Sequence, residues 1–390
     1  PGSNPFQRDS TARRALALVL AALTALPPGA AWANPPVAAG TTNTQVAPAG
    51  NGVPVVNIAA PNASGLSHNQ YNQFNVGPNG LVLNNATAIQ QSVLAGTIRE
   101  NPNLAGTAAR VILNEVIAPN RSMLQGYQEV HGAAAQVILA NPWGITCSGC
   151  GFINTTSGLL TTGVPNLDAN GSLVGFTVRG GDIRIEGAGL DATGMSYFDL
   201  VARSIVVNGQ INGADLLLAA GTNTYGFATR GIAPIGGDPN RPAYAIDTAL
   251  LGGMYANRIR MIATEAGVGV RALGDVAATV GDVVLQSAGR IELANRMSAQ
   301  RDVTVTYTGA AGGEGIRTGA AAGGVAAPYI HARHDTVLAA GAGSLALGTA
   351  DVGAGNALAL SGASLADTGA ATNWRYAESV AGGALTLGLA

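Results

Sequence analysis

The chain has 390 residues, of which 11% are charged and 5% are aromatic, and its formal net charge is −2. A hydrophobic fraction of 47% excludes an intrinsically disordered chain, which combines low hydrophobicity with high net charge. All basic residues are arginines, and no basic run extends beyond Arg13 and Arg14, so the chain lacks the electrostatic footprint of a nucleic-acid-binding protein.

The first 33 residues are predicted to be a removable export signal. A region with three arginines precedes an apolar run over residues 15–26, which is too short to span a bilayer of about 30 Å as a helix. The sequence Ala-Trp-Ala that follows the proline break matches a small-residue cleavage pattern and predicts cleavage between Ala33 and Asn34. A short buried helix is the alternative. No later stretch is long and apolar enough for a membrane anchor.

The composition changes twice after the signal. Residues 34–52 are rich in Pro, Gly, Thr and Asn and are predicted to be an extended leader. From Val53 onward, short apolar runs end at Gly, Asn or Asp, which is typical of strands separated by tight turns. Residues 53–85 are the candidate for a cap that protects the first open strand edge.

A looser repeat fills the second half of the chain. A unit of the form Gly/Asx-x-apolar-x-apolar begins at residues 182 and 203, and again at 281 and 301. A period near twenty residues indicates a solenoid, in which each coil offers one strand per side and neighbouring coils pair in parallel about 4.8 Å apart. Abundant Gly, Asn and Asp suit corners where φ is positive.

The predicted fold is therefore all-β, a right-handed parallel β-helix with an N-terminal cap and short β-hairpin or loop excursions. An ordinary βαβ fold would need helical patterns of about 10–15 residues between strands, and the chain shows no series of them. A β-sandwich is the alternative. Residues 221–244 and 309–324 interrupt the repeat and are predicted to be loops or hairpins that leave the coil.

An ordered series of motifs lies between residues 65 and 165. It begins with GLSHNQYNQFNV at 65–76 and GLVLNN at 80–85, continues with NPNL at 101–104 and NPWGI at 141–145, and ends with LLTTGVP at 159–165. This series resembles the secretion domain of two-partner secretion exoproteins, a family that includes filamentous haemagglutinin-like adhesins, secreted haemolysins and contact-dependent growth-inhibition proteins. Trp143 stands where the family usually has Asn, which leaves the turn geometry of the second motif open.

The resemblance implies a function and a route. The chain would be the N-terminal secretion domain of a large exported surface protein, an adhesin or a carrier of a contact-dependent inhibition toxin, and would not be an enzyme. It would cross the inner membrane by the general export route and then bind the periplasmic domains of a dedicated outer-membrane β-barrel transporter. The full-length protein would be secreted to the cell surface, where it could contact a host or a neighbouring cell.

The residue patterns and the resemblance together predict a division of the chain. The expected segments are a signal peptide at 1–33, a leader at 34–52, a two-partner secretion domain with its cap at 53–170, and further β-helix repeats at 171–390. A polysaccharide-active secreted β-helix enzyme is the alternative function. A third hypothesis is that this fragment is itself the host-binding adhesin.

Both NP motifs are candidates for recognition by the transporter. Their nine residues are Asn101, Pro102, Asn103, Leu104, Asn141, Pro142, Trp143, Gly144 and Ile145. The alternative is that both motifs are corner turns without a contact role, because Pro restricts the residue before it and favours a tight turn. The two roles do not exclude each other.

Three further constellations have structural and chemical interpretations. Cys147 and Cys150 are predicted to form a small structural disulfide in an exported protein, with free thiols, redox chemistry or metal binding as alternatives. The histidines at 331 and 334, beside Asp335, could ligate a metal, but an exposed corner is favoured, so no metal or cofactor is predicted. The acidic residues at 182, 186, 191 and 199 alternate with apolar residues like a solvated face, which gives catalysis no positive support.

Overall fold

The computed structural model describes residues 34–237, 239–319, 328–348, 350–367, 373–376 and 384–389. The predicted export signal, including Ala33 at its cleavage site, lies outside the described residues. Strands and turns make up almost all of the described chain, which has a single 3₁₀ helix at Pro102–Leu104. No helix in these ranges has the length and apolar character needed to cross a membrane.

The strands are numbered in chain order. The first fourteen are β1 Val37–Ala38, β2 Gln45–Pro48, β3 Pro54–Asn57, β4 Leu66–Gln73, β5 Leu81–Asn85, β6 Gln90–Ser92, β7 Gly96–Ile98, β8 Val111–Val116, β9 Ser122–Leu124, β10 Tyr127–Gly132, β11 Ala135–Ala140, β12 Ile145–Cys147, β13 Cys150–Ile153 and β14 Thr155–Thr161. The next fourteen are β15 Val164–Leu167, β16 Leu173–Val178, β17 Asp182–Ile185, β18 Leu190–Ala192, β19 Phe198–Ala202, β20 Ser204–Val207, β21 Gln210–Gly213, β22 Asp215–Ala220, β23 Asn223–Gly226, β24 Gly231–Pro234, β25 Tyr244–Thr248, β26 Gly253–Ala256, β27 Arg258–Ala263 and β28 Gly269–Ala272. The remaining described strands are β29 Asp275–Ala278, β30 Val283–Ser287, β31 Ile291–Leu293, β32 Arg296–Ala299, β33 Val303–Tyr307, β34 Glu314–Thr318, β35 Tyr329–Ala332, β36 Thr336–Ala339, β37 Ser344–Leu347, β38 Asp351–Ala354, β39 Ala357–Gly362, β40 Ser364–Asp367, β41 Asn373–Tyr376 and β42 Ala384–Leu389.

Three long sheets form the body of the protein. Sheet A has the order β1-β4-β8-β11-β14-β19-β22-β27-β30-β33-β36-β39-β42, sheet B the order β2-β3-β5-β10-β13-β18-β21-β26-β29-β32-β35-β38-β41, and sheet C the order β9-β12-β17-β20-β25-β28-β31-β34-β37-β40. From β9 onward each coil supplies one strand to sheet C, then to sheet B, then to sheet A. The prediction of an all-β parallel β-helix is confirmed.

The register between coils explains the repeat seen in the sequence. Ile183 pairs with Ile205, an offset of 22 residues, and Val283 pairs with Val303, an offset of 20 residues. All four side chains are fully buried. Branched side chains stack on their equivalents in the neighbouring coil, so apolar columns run along the inner face of each sheet, as Ile185 and Val207 also show.

The first edge of the β-helix is covered by antiparallel strands. β1 pairs antiparallel with β4, and β2 pairs antiparallel with β3, whereas β3 and β4 themselves pair in parallel with the next coil. Both edge strands fall within the predicted leader at 34–52, earlier than the predicted cap at 53–85. The composition of this segment does not indicate strands, because β1 is only two residues long and β2 ends at Pro48. Both properties are typical of edge strands.

Two hairpins leave the coil and join in one further sheet. β15 and β16 form the first, β23 and β24 form the second, and β16 pairs with β23, so the order is β15-β16-β23-β24. This outer sheet packs on sheet A through a second apolar cluster that contains Leu159, Phe176, Leu217 and Tyr225. It buries the outer face of sheet A, which is why β11 and β22 are nearly continuous apolar runs.

The predicted excursions have different outcomes. The excursion within 221–244 is confirmed, since β23 and β24 form an antiparallel hairpin outside the coil. The prediction for 309–324 was wrong over Glu314–Thr318, which is a coil strand of sheet C paired with β31 and β37. Its single buried apolar residue in the stacking column, Ile316, stands among glycines, so composition alone made this strand look like a loop. Residues 320–327 lie outside the described ranges.

Candidate functional site

The NPNL motif forms a corner between β7 and β8. The Asn101 side chain is buried, and its Oδ1 accepts a hydrogen bond from the backbone N–H of Asn103 at 2.9 Å. Its Nδ2 donates to the backbone carbonyls of Ile58 at 2.9 Å and Asn84 at 2.8 Å. One amide side chain therefore closes the turn and ties it to two other segments of the early coils.

Asn103 fixes the same corner to the edge-covering strands. Its Nδ2 donates to the backbone carbonyl of Asn43 at 2.7 Å and of Ile58 at 3.1 Å. The Asn43 Nδ2 returns a hydrogen bond to Asn103 Oδ1 at 2.7 Å. Leu104 is 2% exposed and belongs to the main apolar core, which leaves Pro102 as the exposed member of the motif.

The NPWGI motif repeats this geometry between β11 and β12. The Asn141 side chain is fully buried, and its Oδ1 accepts a hydrogen bond from the backbone N–H of Trp143 at 3.0 Å. Its Nδ2 donates to the backbone carbonyl of Asn120 at 2.8 Å and to Ser122 Oγ at 2.9 Å. Ile145 is also fully buried, so the exposed member here is Trp143, with 40% of its surface accessible.

Gly144 shows why the second corner needs a glycine. Its φ is +104°, a region that side chains rarely adopt, and a Cβ at this position would come within 3.0 Å of the Asp182 carbonyl oxygen. The Arg121 guanidinium crosses this space, pairs with Asp182 at 2.8 Å, and donates to the Ile145 carbonyl at 3.2 Å. Arg121 was missed in the sequence because a lone arginine in a loop carries no pattern that indicates a role.

The carboxylate of Asp182 is held in its ionised form. Burial raises its pKa, but hydrogen bonds from Arg121 and Arg184 outweigh that effect, so the pKa of Asp182 lies below its ordinary value. The ion pair between Arg121 and Asp182 therefore stabilises the second corner while the Asp182 carboxylate is charged.

The structure places the two motifs at separate corners with separate partners. The first motif contacts segments near residues 43, 58 and 84, and the second contacts residues 120, 122 and 161. The first Asn of each motif, Asn101 or Asn141, is buried and anchors its corner, so it is not exposed to a partner. In the folded state only the outer side chains of these corners are available to a partner.

Cys147 and Cys150 lie on either side of the turn between β12 and β13. They are joined by a disulfide, with Cα atoms 5.4 Å apart, and both residues are buried. The bridge closes the corner that directly follows the second NP motif. It constrains one turn and does not connect different coils.

The histidine cluster of the sequence is divided between two environments. His331 lies on β35 and pairs with Asp351 at 3.0 Å, whereas His334 Nδ1 lies 2.8 Å from Asp302 and 3.3 Å from Asp335. Asp302, His334 and Asp335 bring three potential ligand atoms within 4.8 Å of one another. Asp302 and Asp335 already accept backbone N–H groups from the next coil at 3.0 Å, which explains the cluster as a corner that links coils.

The four acidic residues at 182–199 do not converge. Asp182 pairs with Arg121, Glu186 accepts from Asn208 at 3.0 Å, and Asp191 accepts from Tyr127 at 3.0 Å. Asp199 is fully buried beneath the outer sheet and is bound by Arg230 at 2.6 Å and by the Tyr225 hydroxyl at 2.7 Å. Each carboxylate stabilises a different contact with its own partner.

Comparison with known proteins identifies relatives across most of the chain. Residues 34–293 match the family model described as the TPS secretion domain, where TPS denotes two-partner secretion. The chain is 48% identical over 312 residues to the 16S rRNA endonuclease CdiA of Enterobacter cloacae, covering 77% of this chain, and 51% identical over 257 residues to the tRNA nuclease CdiA of Yersinia mollaretii, covering 66% of it. In both cases the matched region is 9% of the relative's length.

A solved structure shares the architecture. The filamentous hemagglutinin secretion domain superposes with a TM-score of 0.63 at 32% sequence identity, covering 91% of this chain and 100% of that domain. The family match includes residues on both sides of the predicted boundary at residue 170, and that boundary stays a prediction.

Proposed function

The chain belongs to the family of TPS secretion domains, and from this membership we propose that its early coils are recognised by the periplasmic domains of a dedicated outer-membrane β-barrel transporter. It is the secretion domain of a secreted exoprotein of the CdiA and filamentous hemagglutinin type. TPS exoproteins reach the cell surface through such a transporter, so the domain serves transport rather than catalysis.

We propose further that the two NP motifs act at two stages. In the unfolded chain all nine motif residues are accessible and can be read by the transporter. Outside the cell the same asparagines close the first corners, so that coils can add one after another. The observation that supports this order is the burial of Asn101 and Asn141, at 3% and 0% exposure, since a partner cannot reach them after folding.

An experiment can distinguish recognition of the unfolded chain from folding outside the cell. Asn141→Ala and Trp143→Ala are introduced in a chain co-expressed with its transporter, with Asn166→Ala, an exposed residue of β15, as the matched control. Binding of the urea-unfolded chain to the isolated periplasmic domains is measured beside the protease-resistant product in the culture supernatant. Recognition before folding predicts that N141A weakens both measurements.

Two results would contradict parts of this proposal. Unchanged binding of unfolded N141A, together with a protease-sensitive product outside, would leave Asn141 with a folding role alone. Binding that requires the folded chain and is lost only in W143A would instead assign recognition to the exposed face of the corner.

For the longer protein we propose that this domain carries a toxin to neighbouring cells. The chain spans 9% of the length of the first relatives it matches, and those relatives are named as nucleases. An adhesin that contacts host cells is the second candidate, favoured by the match to the filamentous hemagglutinin domain. Growth of a susceptible strain in co-culture, with and without the region that follows residue 390, distinguishes a contact-dependent toxin from an adhesin.

A further inference from the structure

The segment that joins β1 to β2, residues 39–44, lies against the first NP corner, and we call it the strap. It is neither helix nor strand, and Asn43 contacts the motif from its end. Asn43 and Asn103 exchange two hydrogen bonds of 2.7 Å, one from the Asn43 amide to Asn103 Oδ1 and one from Asn103 Nδ2 to the Asn43 carbonyl. The strap therefore occupies both a donor and an acceptor of the Asn103 side chain.

Side chains hold the strap on the first coils. The Thr41 hydroxyl donates to Gln70 Oε1 at 2.7 Å, and the Thr44 hydroxyl donates to Asn69 Oδ1 at 2.8 Å. The Thr44 contact is buried, whereas the contacts of Thr41 and Asn43 are exposed to solvent. Exposed hydrogen bonds contribute little net free energy, because water can replace either partner. The strap can thus open around Asn43 while Thr44 stays anchored.

The second NP corner is anchored differently, although the turn itself has the same geometry. The Asn141 amide binds partners that lie 19 and 21 residues before it, in the stretch that leads into the same sheet. Asn103 binds Asn43, which lies 60 residues before it. Trp143 holds the motif position of Asn103, and 40% of its surface is exposed. The strap is therefore a feature of the first motif and is not required to form an NP turn.

We propose that the strap displaces the transporter from the first NP motif as the first coils fold. This inference rests on the proposed function, in which the transporter binds the motif residues of the unfolded chain. The polar atoms of Asn103 cannot bind Asn43 and a periplasmic domain at the same time, so the two compete. Because such coupling is reciprocal, each contact that stabilises the closed strap weakens transporter binding by the same factor.

The position of the strap in the chain favours this competition. Once β1 pairs with β4 and β2 pairs with β3, both ends of the strap are fixed. Asn43 is then held beside Asn103 at the high effective concentration of an intramolecular partner. Release is thereby coupled to folding and needs no other source of free energy. Asn43 acts here as a positioning residue for the motif.

Release of the whole chain from the isolated periplasmic domains tests the proposal. The urea-unfolded chain is captured on immobilised domains, urea is removed, and dissociation is followed by surface plasmon resonance. Asn43→Ala is compared with Asn51→Ala, another exposed residue of the leader, whose amide donates to the Leu94 carbonyl at 2.9 Å and does not contact either motif. Folding of each free chain is followed in parallel by far-UV circular dichroism.

We expect N43A to dissociate about fivefold more slowly than the wild type, the factor that corresponds to one net hydrogen bond. Folding of the free N43A chain should slow by less than this factor, and N51A should match the wild type in both measurements. The strap proposal is overturned if N43A dissociates at the wild-type rate, or if its dissociation slows only as much as its folding. If the unfolded wild-type chain does not bind at all, recognition of the NP motifs is refuted and the strap proposal falls with it.

Discussion

Asn141 provides the sharpest test of how the corners are stabilised. In Asn141→Ala, three hydrogen bonds of this buried side chain are lost: those from Nδ2 to the Asn120 carbonyl and to Ser122 Oγ, and that from the Trp143 N–H to Oδ1. A typical intramolecular hydrogen bond contributes about 1 kcal/mol net, and a buried partner left unsatisfied costs about 1–3 kcal/mol. Ser122 is fully buried, so the free energy of unfolding should fall by about 3–5 kcal/mol.

Urea unfolding followed by far-UV circular dichroism measures this loss as a shift of the transition midpoint at constant slope. Asn166→Ala is the matched control, because its amide bonds to Thr177 at an exposed position. The control should lie within about 0.5 kcal/mol of the wild type. If N141A does so as well, the buried asparagine does not anchor the corner, and the reasoning that links both NP motifs to folding fails.

Three further predictions concern other contacts. Arg230→Ala removes the charged partner of the fully buried Asp199 and leaves it only the Tyr225 hydroxyl among the contacts described above. The outer sheet should be destabilised by about 3–5 kcal/mol, seen as a lower thermal midpoint and faster proteolysis within residues 223–234. Replacing both Cys147 and Cys150 with Ser should cost at most about 2 kcal/mol in thermal unfolding, because the closed loop is tiny. Asp182→Asn should cost less than about 1 kcal/mol at neutral pH. Folding lowers the pKa of Asp182, so the contribution of its carboxylate is present above the unfolded carboxyl pKa and is lost as pH falls through the folded value. The midpoints of the mutant and the wild type should therefore converge as the solution is acidified below the ordinary pKa of Asp.

Much of the architecture could be predicted because each coil repeats the same local choice. The column from Ile183 through Ile205 is visible as alternation in the sequence, and glycines mark corners such as Gly144, where φ is positive. The first hairpin, β15 and β16, was missed because alternation inside a hairpin resembles alternation inside a coil. Only the antiparallel pairing of β15 with β16 distinguishes them, and the outer sheet also needs β16 to pair with β23, about fifty positions further along the chain.

The candidate sites were predictable in position but not in environment. The motif spacing located both corners, yet nothing in the sequence indicates that Asn101 and Asn141 turn inward and that Trp143 turns outward. Side-chain direction at a corner depends on which neighbouring carbonyls are left without partners, and those come from distant segments.

The outer sheet affects the order of packing in a chain whose N-terminal coils fold first. The β15–β16 hairpin finds its pairing partner only when β23 has appeared, two coils later. Until then the Phe176 ring lacks the Tyr225 ring that lies 6.3 Å from it, so growth of the β-helix includes an interval in which part of this apolar cluster is exposed to water. Residues up to Pro234 therefore complete their packing together. A chain truncated between the two hairpins should aggregate, because part of its apolar surface stays exposed.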